Sequence, residues 1–210
     1  MSHPSPIRVA TRYLYAGKFN LEEFKTVTPT FEDRSDYLNT HAKPLNVGAS
    51  RMVWDIGNKR VLKLLIPNGQ INQNELEIKV WECSGKDKTV LAEMFEHAPD
   101  ASWLTMEKLG KVNPSSFAKM VNQTLGWTLE LDAKDAVNDL VDLLTPNKTR
   151  FHSRSNQWRF EWLRDHPSPW MDALRSLMRT CNLKHDDLWI RNWGSRGTTP
   201  VILDYGLLAD

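Results

Sequence analysis

The chain has 210 residues, 40% hydrophobic and 25% charged, with a net charge of +1. That is enough apolar material for one domain or for two small lobes around a cleft. It excludes the strongly basic balance of a nucleic-acid binder, and no apolar run approaches the ~20 residues that cross a bilayer.

Two cysteines, Cys83 and Cys181, lie far apart and read as reduced, buried thiols of a cytoplasmic protein. The opening MSHPSPIRVATRYLYAG has no apolar h-region, so no secretory leader is expected. Residues 1–44 read as an extension packing on a small lobe. Within them Leu21-Glu22-Glu23-Phe24 suits a short helix, and Pro29 with Asp33, Arg34, Ser35 and Asp36 reads as loop. Two β-prone runs follow, Met52-Val53-Trp54 and Arg60 to Ile66. They flank the turn dipeptide Gly57-Asn58 and predict a hairpin. In front of it, Val47-Gly48-Ala49-Ser50 pairs a glycine with small neighbours, so backbone N–H groups can approach a phosphate. Lys63 interrupts the apolar strand VLKLLI. It requires an anionic partner or a solvent-facing position. The helical pattern from Ile71 to Glu82 offers Glu75 and Glu77 as partners, and at a spacing of two only one of them can face the lysine.

Further strand-like runs span Thr89–Phe95 and Ala101–Glu107, and the pattern breaks at Lys108-Leu109-Gly110. From there the signal is helical. One helix is expected over Pro114–Leu125 and a second from Leu131-Asp132 to Leu144. A basic loop over Asn147–Ser155 follows, then a helical stretch over Asn156–Leu163. An amphipathic helix next starts at Ser168 or Pro169 and carries Trp170, Leu174, Leu177, Met178 and Cys181 on one face. The chain then reaches His185-Asp186-Asp187-Leu188-Trp189-Ile190-Arg191-Asn192. Twelve positions after Asn192, an apolar run lifts Asp204 to its end beside Tyr205-Gly206. Oxygen donors placed in this way suit a hard cation that leaves its remaining positions to phosphates and water.

Strands first, helices next and acidic loops last predict an α+β fold. The ordered set of glycine loop, hairpin, strand lysine, helix glutamate, H-x-D-L-x-x-x-N and D-Y-G resembles the protein-kinase-like superfamily. That group includes the aminoglycoside phosphotransferases and small bacterial and phage-encoded kinases. The resemblance covers residues 45–206. It implies two lobes: a small lobe over 45–109 with an antiparallel sheet and one helix, and a reduced, mostly helical lobe over 110–210. It implies ATP and Mg²⁺ as cofactors. Gly48, Ser50 and Val53 would cover the nucleotide. Lys63 would grip its phosphates and Glu77, ahead of Glu75, would hold Lys63. Glu107 and Leu109 would meet adenine at the hinge. Asp187 would be the catalytic base, and Asn192 and Asp204 the metal ligands, with His185 bracing the loop.

The sequence also departs from the pattern. Asn46 and Arg51 stand at two of the three loop-glycine positions, Asp186 replaces the arginine of regulated kinases, and Trp189 stands where many Ser/Thr kinases have lysine. The sequence stops at Asp210, four residues after Gly206, without an activation segment or later helices. The missing segment counts against a protein acceptor, but the resemblance to compact phage kinases implies an ATP-dependent kinase acting on a hydroxyl, of a cellular or host protein Ser/Thr before a small molecule. It implies no nucleic-acid or membrane partner. A pseudokinase-like binding module and a nucleotidyl transferase using the same site are the alternatives.

Overall fold

Side-chain alternation along successive strands sorts the first half of the chain between two faces. The structure is a computed structural model and describes residues 18–27, 29–48, 50–67, 72–126, 136–144, 161–181, 183 and 185–205. Strands β1 (Lys43–Val47), β2 (Arg51–Gly57), β3 (Arg60–Leu65), β4 (Met94–His97) and β5 (Trp103–Glu107) form one antiparallel sheet in the order β1-β2-β3-β5-β4. Trp54, Leu62, Leu64 and Trp103 share one face and are covered by Phe24 and Leu38 from helices α1 (Leu21–Val27) and α2 (Phe31–His41). Val61, Leu104 and Met106 belong to the larger core on the opposite face. Lys63 pairs in register with Val53 and Leu104, so it stands on that second face, as period-2 alternation requires.

Three local expectations shift. The Asp33–Asp36 stretch is helical and not loop. Thr30 caps α2 by accepting a hydrogen bond from the Asp33 N–H, and Glu32 and Asp33 lie in the first turn, where acidic groups favour the helix dipole. The β2–β3 turn centres on Asn58 and Lys59, with φ of 50° and 56°. Positive φ at both positions is the type I′ geometry. Gly57 (φ 81°) absorbs the register shift beside Asp55. Finally, a 3-10 turn covers Gly85–Val90 where the strand expected from Thr89 would begin, and β4 starts only at Met94. The turn closes its own backbone bonds, Asp87 N–H to the Ser84 carbonyl and Leu91 N–H to the Lys88 carbonyl, so these residues have no need of a ladder.

Helix α3 (Gln73–Cys83) is capped by Asn72, which accepts from the Glu75 N–H. In the second half, α4 (Pro114–Leu125) begins with a reciprocal Asn113–Ser116 capping box and ends on Gly126 at φ 68°, a left-handed cap that glycine adopts without strain. Helix α5 (Ala136–Leu144) follows, residues 161–165 are helical, and α6 (Pro169–Thr180) starts from a Ser168 cap. The expected helix start at Leu131, the loop over Asn147–Ser155 and most of Asn156–Leu163 lie outside the described residues. A second sheet, β6 (Gly110–Lys111), β7 (Trp193–Arg196) and β8 (Thr199–Ile202), is antiparallel throughout. It joins the first half where the Ala92 N–H donates to the Ile202 carbonyl. Trp193 is fully buried, with Phe117 and Trp170 ring centroids 5.0 and 5.9 Å away.

The two cysteines are not separate thiols. Cys83 ends α3 and Cys181 caps α6, and the two form a disulfide with Cα atoms 5.5 Å apart and a sequence separation of 98. Sequence distance concealed the pairing, because the packing of α6 across the Gly85–Val90 turn is a tertiary event. A bond closing so long a loop restricts the unfolded chain strongly. Replacing both cysteines by serine is expected to lower the free energy of unfolding by about 2–5 kcal/mol. Urea denaturation with and without a thiol reductant measures it, and the reductant should have no effect on the double-serine protein.

Candidate active site

Lys63 is 7% exposed and Glu77 fully buried. Such charges persist only when paired. The Lys63 Nζ donates to Glu77 Oε1 at 2.7 Å and to the Leu203 carbonyl at 3.0 Å. Glu75 is turned away and pairs with Lys79 on the helix surface, as its two-residue offset from Glu77 dictates. The Tyr205 N–H also approaches Glu77 Oε1, at 3.4 Å, and the Tyr205 hydroxyl donates to the Ala92 carbonyl. Glu77 therefore ties α3, β3 and the segment after β8 together.

Arg51 is the residue that motif matching overlooks. It opens β2 and is buried. Its Nη2 donates to Asp204 Oδ1 at 2.5 Å, its Nη1 lies 3.1 Å from Glu77 Oε2, and the same Nη1 reaches Asn74 Oδ1 at 3.4 Å. The Glu77 contact is an ion contact without hydrogen-bond alignment, which leaves Oε2 without a hydrogen-bond partner. Strand alternation carries the missing signal: Arg51 and Val53 share a face, and Val53 pairs with Lys63. Burial pushes the Glu77 carboxyl up, against the pull of Arg51 and Lys63. Burial acts on Asp204 in the same direction, but Lys63 and Arg51 outweigh it and hold this carboxyl well below the usual range. Asp204 is thus the stronger acid of the two.

The loop before β7 is built from two 3-10 turns, His185–Leu188 and Ile190–Asn192. Asp187 and Asn192 are both buried. The Asn192 Nδ2 donates to the Asp187 carbonyl, the Trp193 Nε1 to the Leu188 carbonyl, and the Leu203 N–H to the Asn192 carbonyl. These bonds fix the loop against the strand that ends in Asp204.

A cavity of about 330 Å³ opens beside this cluster. Of the sequence-predicted residues, Val53, Lys63, Glu107, Leu109 and Asp204 line it, together with Val61, Met106 and Leu203. The Glu107 and Lys108 N–H groups donate to the Glu93 and Lys59 carbonyls and so anchor the end of β5. The Glu107 side chain pairs with Arg196. Gly48 and Ser50 are not on the cavity wall. The Gly48 N–H closes a tight turn onto the Arg51 carbonyl, and the Ser50 Oγ donates to Gln73 Oε1. Glu77 reaches the cavity through Lys63, and Asp187 and Asn192 lie outside its lining.

The donors fit a hard divalent cation. Asp204 offers an ionised, half-exposed carboxylate on the cavity wall. Asn192, an oxygen-bearing amide, is held next to Leu203. Among the described residues no three His, Cys, Asp or Glu side chains gather into a self-sufficient metal site. One or two protein oxygens completed by phosphates and water is the pattern of Mg²⁺.

No known protein-family model matches the chain, and no curated protein matches it. Solved structures similar to it include a choline/ethanolamine kinase family protein from Mesorhizobium loti, at 14% identity and a TM-score of 0.42, matched over 88% of this chain. Another is the streptomycin–ATP–APH(2")-IIa ternary complex, at 14% identity and a TM-score of 0.42, matched over 86% of this chain. The chain spans 64% of the length of the first and 71% of the second.

Glu77→Gln leaves Lys63 and Arg51 buried around a neutral amide, and is expected to destabilise the protein by about 3–5 kcal/mol, read by urea unfolding. Asp204 supports a pH prediction. Its folded pKa lies below the ordinary 3.8, so its contribution to stability is present above that value and is lost as pH falls below it. The stability difference between wild type and Asp204→Asn should be full at neutral pH and shrink on acidification below about pH 4. A difference independent of pH would contradict the assignment.

Proposed function

We propose that the chain is an ATP-dependent phosphotransferase that moves the γ-phosphate to a hydroxyl. The observation that carries this reading is the contact of Lys63, Glu77, Arg51 and Asp204, of which Lys63 and Asp204 line a cavity whose apolar lining includes Val53, Val61, Met106 and Leu109. A flat base suits the apolar side, with backbone groups of Glu107 and Leu109 at its edge, and a triphosphate suits the cationic side. Asp204 and Asn192 would hold Mg²⁺, which when bound neutralises phosphate charge.

Lys63, positioned by Glu77, is a fixed point charge for the phosphates. The acceptor oxygen bonds to the γ-phosphorus while the bond from phosphorus to the β,γ-bridging oxygen breaks. ADP leaves with that electron pair, and the acceptor proton passes to the Asp187 carboxylate. Holding these groups in place supplies most of the acceleration, because phosphoryl transfer asks little covalent chemistry of the protein. We take the acceptor to be a Ser or Thr hydroxyl of a protein. The Trp189 ring, 56% exposed in the loop that carries Asp187, is an apolar contact for such a segment.

One observation favours a second reading, a nucleotide-binding regulatory module without transfer: Asp204 is engaged by Arg51. Incubation with Mg²⁺ and ATP labelled at the γ- or α-phosphate, with and without cell lysate, separates the readings. Label from γ alone supports the phosphotransferase, and label from α supports nucleotidyl transfer. Binding without label supports the module. The absence of both labels and of any Mg-ATP thermal shift sinks the proposal. Asp187→Asn is expected to reduce γ-transfer by about 10²–10⁴-fold while ATP affinity stays within a few-fold of wild type. Retained transfer would remove Asp187 from the base role.

A further inference from the structure

We propose that Arg51 competes with a divalent cation for Asp204, and turns to the nucleotide's phosphates when metal and nucleotide enter together. The inference rests on the phosphotransferase reading and assigns Arg51 a positioning role within that site.

The geometry of Arg51 is uneven in a telling way. Its single short contact is with Asp204, at 2.5 Å. Its contacts with Glu77 Oε2 and Asn74 Oδ1 are longer, at 3.1 and 3.4 Å, and the first is not aligned as a hydrogen bond. Asp204 is also the most exposed member of the cluster, with its side chain 36% exposed, against 8% for Lys63 and 5% or less for Arg51 and Glu77. The carboxylate that a metal ion would use is therefore the one that Arg51 grips most closely. If Asp204 were drawn away, Arg51 would keep its contact with Glu77, but Glu77 also faces Lys63, so one positive charge would be left without a counter-charge until phosphates supply it.

Charge balance gives the direction of the effect. Lys63 and Arg51 oppose Glu77 and Asp204 through a chain of direct contacts, so their formal charges balance. A bare divalent cation at Asp204 would add positive charge beside two fixed cations, which is unfavourable. A metal ion arriving with a triphosphate brings the negative charge that both Lys63 and the released guanidinium can receive, and a planar guanidinium matches phosphate oxygens well. The turn at Gly48 is closed by the Arg51 carbonyl, so the backbone that carries Arg51 is also the backbone that shapes this turn. Arg51 thereby makes metal binding depend on nucleotide binding. That is a coupling of two ligands, and it is reciprocal.

The test uses Mn²⁺ alone, titrated into the protein and followed by the free-ion electron paramagnetic resonance signal. Arg51→Gln is expected to bind Mn²⁺ about tenfold or more tightly than wild type. Arg51→Lys, which keeps the charge on a shorter reach, is expected to fall between the two. Repeating the titrations with a non-hydrolysable ATP analogue should tighten Mn²⁺ binding strongly in wild type and about tenfold less in Arg51→Gln. Equal Mn²⁺ affinities of wild type and Arg51→Gln overturn the inference, whatever the nucleotide does. Failure of the Mn²⁺–analogue complex to bind wild type counts instead against the phosphotransferase reading.

If Arg51→Gln does not fold, wild type labelled with ¹⁵N-arginine gives the answer. The Arg51 guanidinium resonances, assigned by their loss in Arg51→Lys, should shift when Mg²⁺ and the analogue are added together. Resonances unmoved by a bound complex overturn the proposal.

Discussion

Glu77 places its carboxyl group where water does not reach. An isolated carboxylate there would be prohibitively unfavourable, so its two cationic neighbours are a condition of the fold as much as of any chemistry. Lys63 comes from β3, Arg51 from the start of β2 and Glu77 from α3, and the Tyr205 N–H closes the fourth side. Four separate pieces of chain must therefore be in register before the charge is compensated. The same demand makes the cluster rigid, because moving any piece exposes a buried ion. The disulfide at Cys83 holds the far end of α3 to the end of α6, so the helix that presents Glu77 is tied at both ends, by ion pairs near its start and by a covalent bond at its finish.

The floor of the cavity is set by close approach. A Cβ on Gly194 would meet the Leu203 side chain at 2.8 Å and the Gly110 carbonyl at 3.0 Å. The absence of a side chain there lets β7 lie against β6. Leu109 and Leu203 flank this point, and both line the cavity. Trp193, packed between Phe117 and Trp170, fixes the other face of the same strand. The small second sheet thus converts helix packing in the second half of the chain into the position of Leu203 and Asp204, next to the ion cluster.

The parts of this arrangement that were legible in the sequence are those with local causes. A turn dipeptide between β-prone runs marks the β2–β3 hairpin, although the turn itself sits one residue later, at Asn58-Lys59. A lysine inside VLKLLI asks for an anion, and helical geometry allows it only one of two glutamates. The capping residues Asn113 and Ser168 mark the starts of α4 and α6. The features that escaped depend on the tertiary fold. Cys83 and Cys181 meet only because α6 crosses the turn after α3. Asp33 to Asp36 read as loop by composition, yet a single Thr30 cap and favourable dipole placement are enough for a helix. Arg51 escaped for a different reason: comparison with a glycine pattern shows what a position lacks, whereas its meaning here lies in what the arginine adds.

That addition changes how the cationic end of the cavity has to be understood. In a loop built from glycines, backbone N–H groups supply the favourable field, and the charge of a ligand is met by weak, distributed dipoles. Here the Gly48 N–H is committed to the Arg51 carbonyl and the Ser50 hydroxyl to Gln73, so these two groups are already spent inside the protein. The guanidinium of Arg51 concentrates in one place the positive charge that the loop would otherwise spread over several amides. A concentrated charge needs a counter-charge while the cavity is empty, and Asp204 is the nearest acid that can provide it without being buried further. The contact between Arg51 and Asp204 is thus the natural resting state of a site that has exchanged backbone dipoles for a side-chain cation. The electrostatic requirement that places the arginine there also makes it an obstacle to any metal ion arriving without phosphates.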